Sequence, residues 1–227
     1  MERYSLIHDK FPREFVLLQG TGCRWGKCTF CDYYLDRSDN PFDENLKALA
    51  KVTGHYGVLD VINSGSALEL DKSTIELIKH IVAEKNIHTL WFESHYMYRR
   101  LLNDFAKQFA PTKVKFRCGI ETFDASLRND WNKGVANIVT AQDVAKYFHG
   151  VCLLFGTKGE LKERIISDID IALNNFEYIS VNLFNKNSTS IEVDTNLQQW
   201  FINVVYPEIK DNPAIEVLLH NTDLGVG

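Results

Sequence analysis

The sequence predicts an α/β protein: an open partial (β/α)6 barrel of parallel strands with helices on the outside. Two observations carry that prediction. Apolar runs of strand length alternate six times with segments of helical periodicity, and turns of small residues join strand to helix. A strand, a helix and a second parallel strand require a right-handed crossover, so repeated units build a parallel sheet with helices packed on its face. A chain of 227 residues with 45% apolar content can bury a full-sized core. A barrel of this kind uses nearly all of it, and the chain is read as one domain over 1–227.

The elements follow in order. Phe15-Val-Leu-Leu is a first strand, ended by Gly20-Thr-Gly. Asn40-Pro41 offers a cap and a first-turn proline for a helix carrying Leu46, Leu49 and Ala50 on one face and stopping at Gly54. Val58-Leu-Asp-Val-Ile-Asn is the second strand. Ser73-x-x-Glu76 reads as a capping box for a helix with Ile75, Ile78, Ile81 and Val82 inward. The third strand covers 87–93, and a helix over 99–109 turns Leu101, Leu102, Phe105 and Phe109 inward. The fourth strand covers 114–121, followed by a broken helical region holding Asn132-Lys-Gly134 and a helix over 141–148. A fifth strand over 151–155, a helix over 160–173 and a sixth strand over 178–184 complete the units. A last helix over 195–206 turns Leu197, Trp200, Phe201 and Val204 to one side, and the short apolar run over 215–219 has no assigned place.

Three of the five cysteines crowd into Gly20-Thr-Gly-Cys23-Arg-Trp-Gly-Lys-Cys28-Thr-Phe-Cys31-Asp-Tyr-Tyr, the loop after the first strand. Glycines let such a loop turn back and aim three thiolates inward, and an iron-sulfur cluster is the first candidate for what they hold. Phe30 stands just before the third cysteine. This loop resembles that of the radical S-adenosylmethionine (SAM) superfamily, although its C-x4-C spacing is one residue longer than the usual C-x3-C. The resemblance implies a [4Fe-4S] cluster on Cys23, Cys28 and Cys31, SAM on its open iron, and one-electron cleavage of SAM to methionine and a 5'-deoxyadenosyl radical. Two other readings of the loop stand beside it. Plant-type ferredoxins share the spacing but need a nearby fourth cysteine, and the next one is Cys118. A structural zinc site completed by a histidine usually shows paired C-x2-C knuckles, and only one pair exists. Cys118 and Cys152 stand alone in apolar segments and are read as small buried hydrophobes.

In parallel α/β barrels the loops after the strands build the active site, because the strand carboxyl ends open on one face. The turn Asn63-Ser64-Gly65-Ser66 lies where radical SAM proteins receive the amino group of SAM on a glycine-rich turn. Alternation on the fourth strand separates Val114, Phe116, Cys118 and Ile120 from Lys115, Arg117, Gly119 and Glu121. The charged set then faces the barrel interior, where each charge needs a partner, a ligand or water. Gly119-Ile-Glu121-Thr with Asn132-Lys-Gly also resembles a radical SAM fourth-strand motif, which implies that Arg117 or Glu121 holds SAM's carboxylate or ribose. Asn182 on the sixth strand has two readings, a contact to the adenosine or a satisfied polar residue of the barrel. Trp91 and Glu93 share a face of the third strand, with His95 and Tyr96 just beyond, and a carboxylate beside aromatics suits a flat heterocycle with N–H donors.

The net charge of −5 argues against a surface that neutralises nucleic-acid phosphates and fits a small substrate better. The start has no apolar core of signal-peptide length, no stretch approaches the roughly 20 apolar residues of a membrane span, and a cytoplasmic location is expected. Within the superfamily, Cys-Arg-Trp-Gly-Lys-Cys-Thr-Phe-Cys-Asp-Tyr-Tyr resembles the queuine lyase subgroup, which implies a lyase acting on free queuine to release 7-aminomethyl-7-deazaguanine (preQ1). It also implies a low-potential electron donor such as flavodoxin or ferredoxin. Glu93 is then the first choice for the base's N–H edge, with Trp91 and Tyr96 around it and Asp32 second. A radical SAM activase, a tRNA-modifying enzyme and a non-catalytic iron-sulfur or zinc protein are the other functions compatible with these residues.

Overall fold

A computed structural model describes residues Met1–Gly227. The strands are hydrogen-bonded in sequence order, β1 to β8. The chain divides into two compact units, one of Met1–Gly26, Tyr33–Phe116 and Thr222–Gly227, the other of Lys27–Asp32 and Arg117–Asn221.

The first unit carries β1 (Tyr4–Ile7), β2 (Arg13–Leu18), α1 (Phe42–Leu49), β3 (Val58–Asn63), α2 (Lys72–Glu84), β4 (Thr89–Ser94) and α3 (Leu102–Lys107). β2, β3 and β4 pair in parallel, as the alternation of strand and helix requires. β1 is an addition the sequence reading missed: it runs antiparallel to β2, with Tyr4 opposite Val16. Phe15, Leu49, Leu59, Ile78, Leu90 and Phe92 are fully buried between sheet and helices. Each such side chain contributes about 1.5–3 kcal/mol by leaving water. Phe92 centres an aromatic group, with the Phe105 and Phe109 rings 5.3 and 5.4 Å away. α2 is capped by Asp71, whose side chain accepts from Thr74 N at 2.9 Å. Ser73 therefore lies inside the first turn and the expected Ser73 capping box does not form; an Asp one residue before the helix offers a charged acceptor in its place.

β5 (Lys113–Glu121) begins in the first unit and ends in the second. The second unit continues through α4 (Ala125–Asp130), α5 (Ala141–Ala145), β6 (Gly150–Phe155), α6 (Lys162–Leu173), β7 (Tyr178–Leu183), α7 (Thr195–Trp200), α8 (Tyr206–Ile209) and β8 (Ile215–Leu218). β5 to β8 pair in parallel, and the unplaced apolar run is β8, with Ile215 opposite Ile179. The helix expected over 195–206 is interrupted by a π turn at Phe201–Val205. Pro207, in the first turn of α8, has no N–H to give the ladder, and the turn before it widens.

Strict alternation fails at the end of β5. Gly119 pairs with Cys152 and Glu121 with Leu153, so Ile120 is an extra residue in a bulge. Both faces of the strand are buried there: Phe116, Arg117, Cys118 and Ile120 are each at most 4% exposed. No helix is long and apolar enough to cross a membrane.

Candidate active site

In the first unit the loops after β2, β3 and β4 are tied together. Gly20 N donates to Ser64 Oγ at 3.3 Å, and Gly26 N donates to Cys23 Sγ at 3.3 Å. The turn after β3 has no room for a side chain at Gly65. A Cβ there would lie 2.9 Å from Gly22 O, 3.3 Å from Cys23 Cα and against the Glu69 carboxylate. The cysteine loop and the Ser64-Gly65-Ser66 turn are thus in backbone contact, the close approach that glycine permits. Glu69 Oε2 accepts from Ser66 N at 2.9 Å, while its Oε1 accepts from Arg24 N at 3.1 Å and Tyr98 Oη at 2.8 Å. Burial and the Glu69 carboxylate push the Tyr98 phenol up to about 12.

The turn after β4 joins this arrangement. His95 N donates to Ser66 Oγ at 3.0 Å, and His95 Nδ1 accepts from Met97 N at 3.1 Å. The His95 ring stacks on Trp25, with centroids 5.8 Å apart and planes at 20°. Along β4, Leu90 and Phe92 are buried while Trp91 and Glu93 are partly exposed, so the expected shared face holds. The Lys115 ammonium lies 5.2 Å from the centre of the Trp91 ring. Tyr96 is only 7% exposed, with the Arg99 guanidinium 4.5 Å over its ring.

In the second unit Phe30 anchors the segment that carries Cys28 and Cys31. Its ring packs with Leu127, Trp131 and Phe184, and both cysteines pack against this cluster. The segment is pinned at four points, three on its backbone and one on the Asp32 carboxylate. Thr29 N donates to Trp131 O at 3.0 Å, Asn132 Nδ2 to Lys27 O at 3.1 Å, Asn187 Nδ2 to Phe30 O at 2.7 Å, and Ser188 N to Asp32 Oδ2 at 2.9 Å. Ser188 Oγ also donates to Asp32, so this carboxylate holds the 186–193 segment.

Lys133 connects the cysteine segment to the end of β5. Its ammonium donates to Glu121 Oε1 at 2.8 Å and lies 5.5 Å from the centre of the Phe30 ring. Burial works to lower the Lys133 pKa, but the Glu121 carboxylate and the Cys28 and Cys118 sulfurs outweigh it, and the net shift is upward. Glu121 itself holds a left-handed backbone with φ of +69°, a conformation rarely adopted by a non-glycine residue. Arg117 lies 5.7 Å from the centre of the Tyr178 ring, whose hydroxyl donates to Glu216. Asn182 Nδ2 donates to Leu153 O at 3.1 Å.

Cys23, Ser64, Gly65 and Ser66 come together in the first unit, as do Cys28, Phe30, Cys31 and, through Lys133, Glu121 in the second. Among the charged residues of β5, Lys115 lies over the Trp91 ring, Arg117 over the Tyr178 ring, and Glu121 accepts from Lys133. Sequence reasoning missed Glu69, Lys133, Asn187 and Ser188. Two of these had a local signal: Glu69 in the capping-box spacing Ser66-x-x-Glu69, and Lys133 in the motif Asn132-Lys-Gly, which was given no role of its own.

The cysteine loop fits the cluster that its motif implies. Cys23, Cys28 and Cys31 are partly exposed, whereas Cys118 and Cys152 are buried in β5 and β6. The Cys23 sulfur accepts the Gly26 N–H, and the buried Lys133 ammonium lies in the electrostatic field of Cys28. No group of three or more His, Cys, Asp and Glu side chains gathers to hold a single metal ion. A cubane cluster places its cysteines on separate irons and does not require such a gathering.

No protein-family model and no curated protein matches the sequence. Among solved structures, a queuine lyase from Clostridium spiroforme bound to SAM and queuine is 40% identical, with a TM-score of 0.95 over 100% of this chain and 99% of that one. Streptococcus suis SuiB is 16% identical with a TM-score of 0.61, over 92% of this chain and 50% of its own. Methylornithine synthase (PylB) is 15% identical with a TM-score of 0.62, over 89% and 63%. The last two likenesses carry the fold alone.

Proposed function

Because the chain belongs to the queuine lyase family of radical SAM enzymes and shares its partial (β/α) barrel, we infer that it is a radical SAM lyase acting on free queuine. It breaks a carbon–nitrogen bond of queuine and releases preQ1, using SAM and a [4Fe-4S] cluster. The observation that carries this reading is the likeness along the whole chain to a queuine lyase holding both SAM and queuine. No observation favours an activase, a tRNA-modifying enzyme or a zinc protein.

The residue roles are our assignment. Cys23, Cys28 and Cys31 would hold the cluster, which with SAM supplies one-electron reductive cleavage and thereby abstraction of a substrate hydrogen. The backbone of Ser64, Gly65 and Ser66 takes the amino group of SAM on a turn that packs on the cysteine loop. Phe30 orients the Cys28 and Cys31 segment and flanks SAM, while Arg117, Glu121 and Asn182 bind its carboxylate, ribose and adenosine. Glu93 accepts the N–H edge of the deazaguanine, with Trp91 and Tyr96 shaping the surroundings. Asp32 ranks second for that role because it already holds Ser188. The chain's own work is to orient a substrate C–H and exclude water. We further propose that it acts as one domain over 1–227 in the cytoplasm on a free base rather than a nucleic acid, reduced by a flavodoxin or ferredoxin.

Anaerobic turnover tests the function. Reconstituted protein given dithionite, SAM and queuine should release preQ1, identified by mass. Cys28→Ala should lose both cluster and turnover, while Cys118→Ser and Cys152→Ser retain full iron content. Turnover in Cys28→Ala, or wild-type protein that forms no preQ1, would overturn the assignment.

A further inference from the structure

We propose that Glu69 is a positioning residue for the cluster and SAM, a single carboxylate that holds the Cys23 loop and the Ser64-Gly65-Ser66 turn at a set separation. The proposal rests on the radical SAM reading above and adds to it a residue that acts through the two loops whose backbone it holds.

The two oxygens of Glu69 divide their donors between the two loops. Oε2 takes the N–H of Ser66, in the turn after β3, at 2.9 Å. Oε1 takes the N–H of Arg24, the residue after Cys23, at 3.1 Å, and the Tyr98 hydroxyl at 2.8 Å. Two backbone segments of different loops therefore meet on one charged group. Gly65, lying between them, leaves no space for a side chain against Gly22 O or Cys23 Cα. The carboxylate occupies the remaining space and its two oxygens set the distance across it. Hydrogen bonds to an ionised acceptor are about twice as strong as neutral ones, so the geometry is held more firmly than ordinary turn contacts would hold it. Tyr98 is buried and braces the carboxylate from behind, and the His95 N–H on Ser66 Oγ fixes the far side of the same turn.

An amide cannot replace this acceptor pair. In Glu69→Gln one oxygen becomes an NH2 group, and in either orientation that donor faces a backbone N–H: Ser66 N in one, Arg24 N in the other. The loops must then separate. Cys23 loses the constraint next to it and the SAM turn loses its register with the cysteine loop, while β4, with Glu93, keeps its sheet pairing. The signature is a joint loss at cluster and SAM that spares the base.

The test compares anaerobically reconstituted full-length wild type, Glu69→Gln and Tyr98→Phe. Three quantities are read: the rate of iron loss to a chelator, the Kd for SAM followed by the electron paramagnetic resonance signal of the reduced cluster, and the Kd for queuine. Glu69→Gln should keep its far-ultraviolet circular dichroism, lose iron about tenfold faster and bind SAM about tenfold more weakly, with queuine affinity within about twofold of wild type. Wild-type rates of iron loss and wild-type SAM affinity in Glu69→Gln would overturn the proposal. If that variant does not fold, Tyr98→Phe decides, since it deletes one donor and leaves both backbone bonds. It should lose iron about threefold faster, and an unchanged rate would refute the role. Wild-type protein that takes up no cluster would sink the radical SAM reading and this one with it, an outcome distinct from a silent Glu69 variant.

Discussion

Lys133 and Glu121 form a buried ion pair, Nζ to Oε1 at 2.8 Å, with side chains 10% and 12% exposed. It ties the turn after α4 to the bulged end of β5, next to the Phe30 ring that carries the cysteine segment. Removing one member of a buried pair costs about 3–5 kcal/mol, whereas removing both costs much less. Lys133→Met and Glu121→Gln should each lower stability to denaturant by about that amount, and the double variant should recover most of the loss. Strictly additive losses would show that the two groups are not coupled. Since Glu121 is also assigned to SAM, the double variant should recover stability without recovering SAM affinity.

Glu93 provides the test of substrate recognition. A deazaguanine presents a ring N–H beside an exocyclic amine, a donor pair that a carboxylate accepts with two parallel hydrogen bonds. An amide offers one acceptor oxygen and sets a donor against a donor. Calorimetric titration of queuine into SAM-loaded Glu93→Gln should show binding weakened at least about tenfold, with iron content and SAM affinity unchanged. Intact queuine binding would transfer the role elsewhere, and Asp32→Asn would be the next variant to measure.

Two buried carboxylates in the second unit set a pH dependence of stability. Burial pushes Glu160 up to about 7 against the N–H bonds it accepts from Gly156 and Thr157, and the Asp168 charge adds to the rise. Burial likewise lifts Asp168 to about 6, opposed by its bonds from Thr122 and Phe123. A folded-state pKa above the unfolded one means that the folded protein binds more protons between the two values. The contribution is complete below about pH 4 and is lost as pH rises through about 6 to 7, a change on the order of a few kcal/mol for the pair. Glu160→Gln keeps an acceptor for both N–H groups and cannot ionise. Denaturant midpoints should therefore show Glu160→Gln gaining stability over wild type from pH 5 to pH 8. A constant difference across that range would mean that Glu160 does not titrate there.

Much of the path from sequence to site rests on local pattern. The strand and helix alternation, the shared face of Trp91 and Glu93, the burial of Cys118 and Cys152 and the cysteine loop at the end of β2 depend on neighbours one to four residues apart, where periodicity and turn chemistry act. So did the resemblance of that loop, which the whole-chain likeness to a queuine lyase bears out. Local pattern also misled: Ser73-x-x-Glu76 has the spacing of a capping box, yet Asp71 starts the helix.

What only the tertiary structure decided depends on segments distant along the chain. β1 and β8 are four-residue strands whose identity comes from pairing with β2 and β7, a gain no short run can reveal by itself. The bulge at Ile120 is defined by its register against β6, and it breaks the alternation by which Glu121 had been placed. Arg24 and Glu69 are 45 residues apart, and Asp32 and Ser188 are 156 apart. Hydrogen bonds of that separation form because the sheet delivers two loops to one place, and nothing in either loop's own sequence specifies its partner. The sequence by itself determined the chemistry of the cysteine loop, because three thiols within nine residues need no distant partner to be recognised. The tertiary structure decided what holds that loop in position.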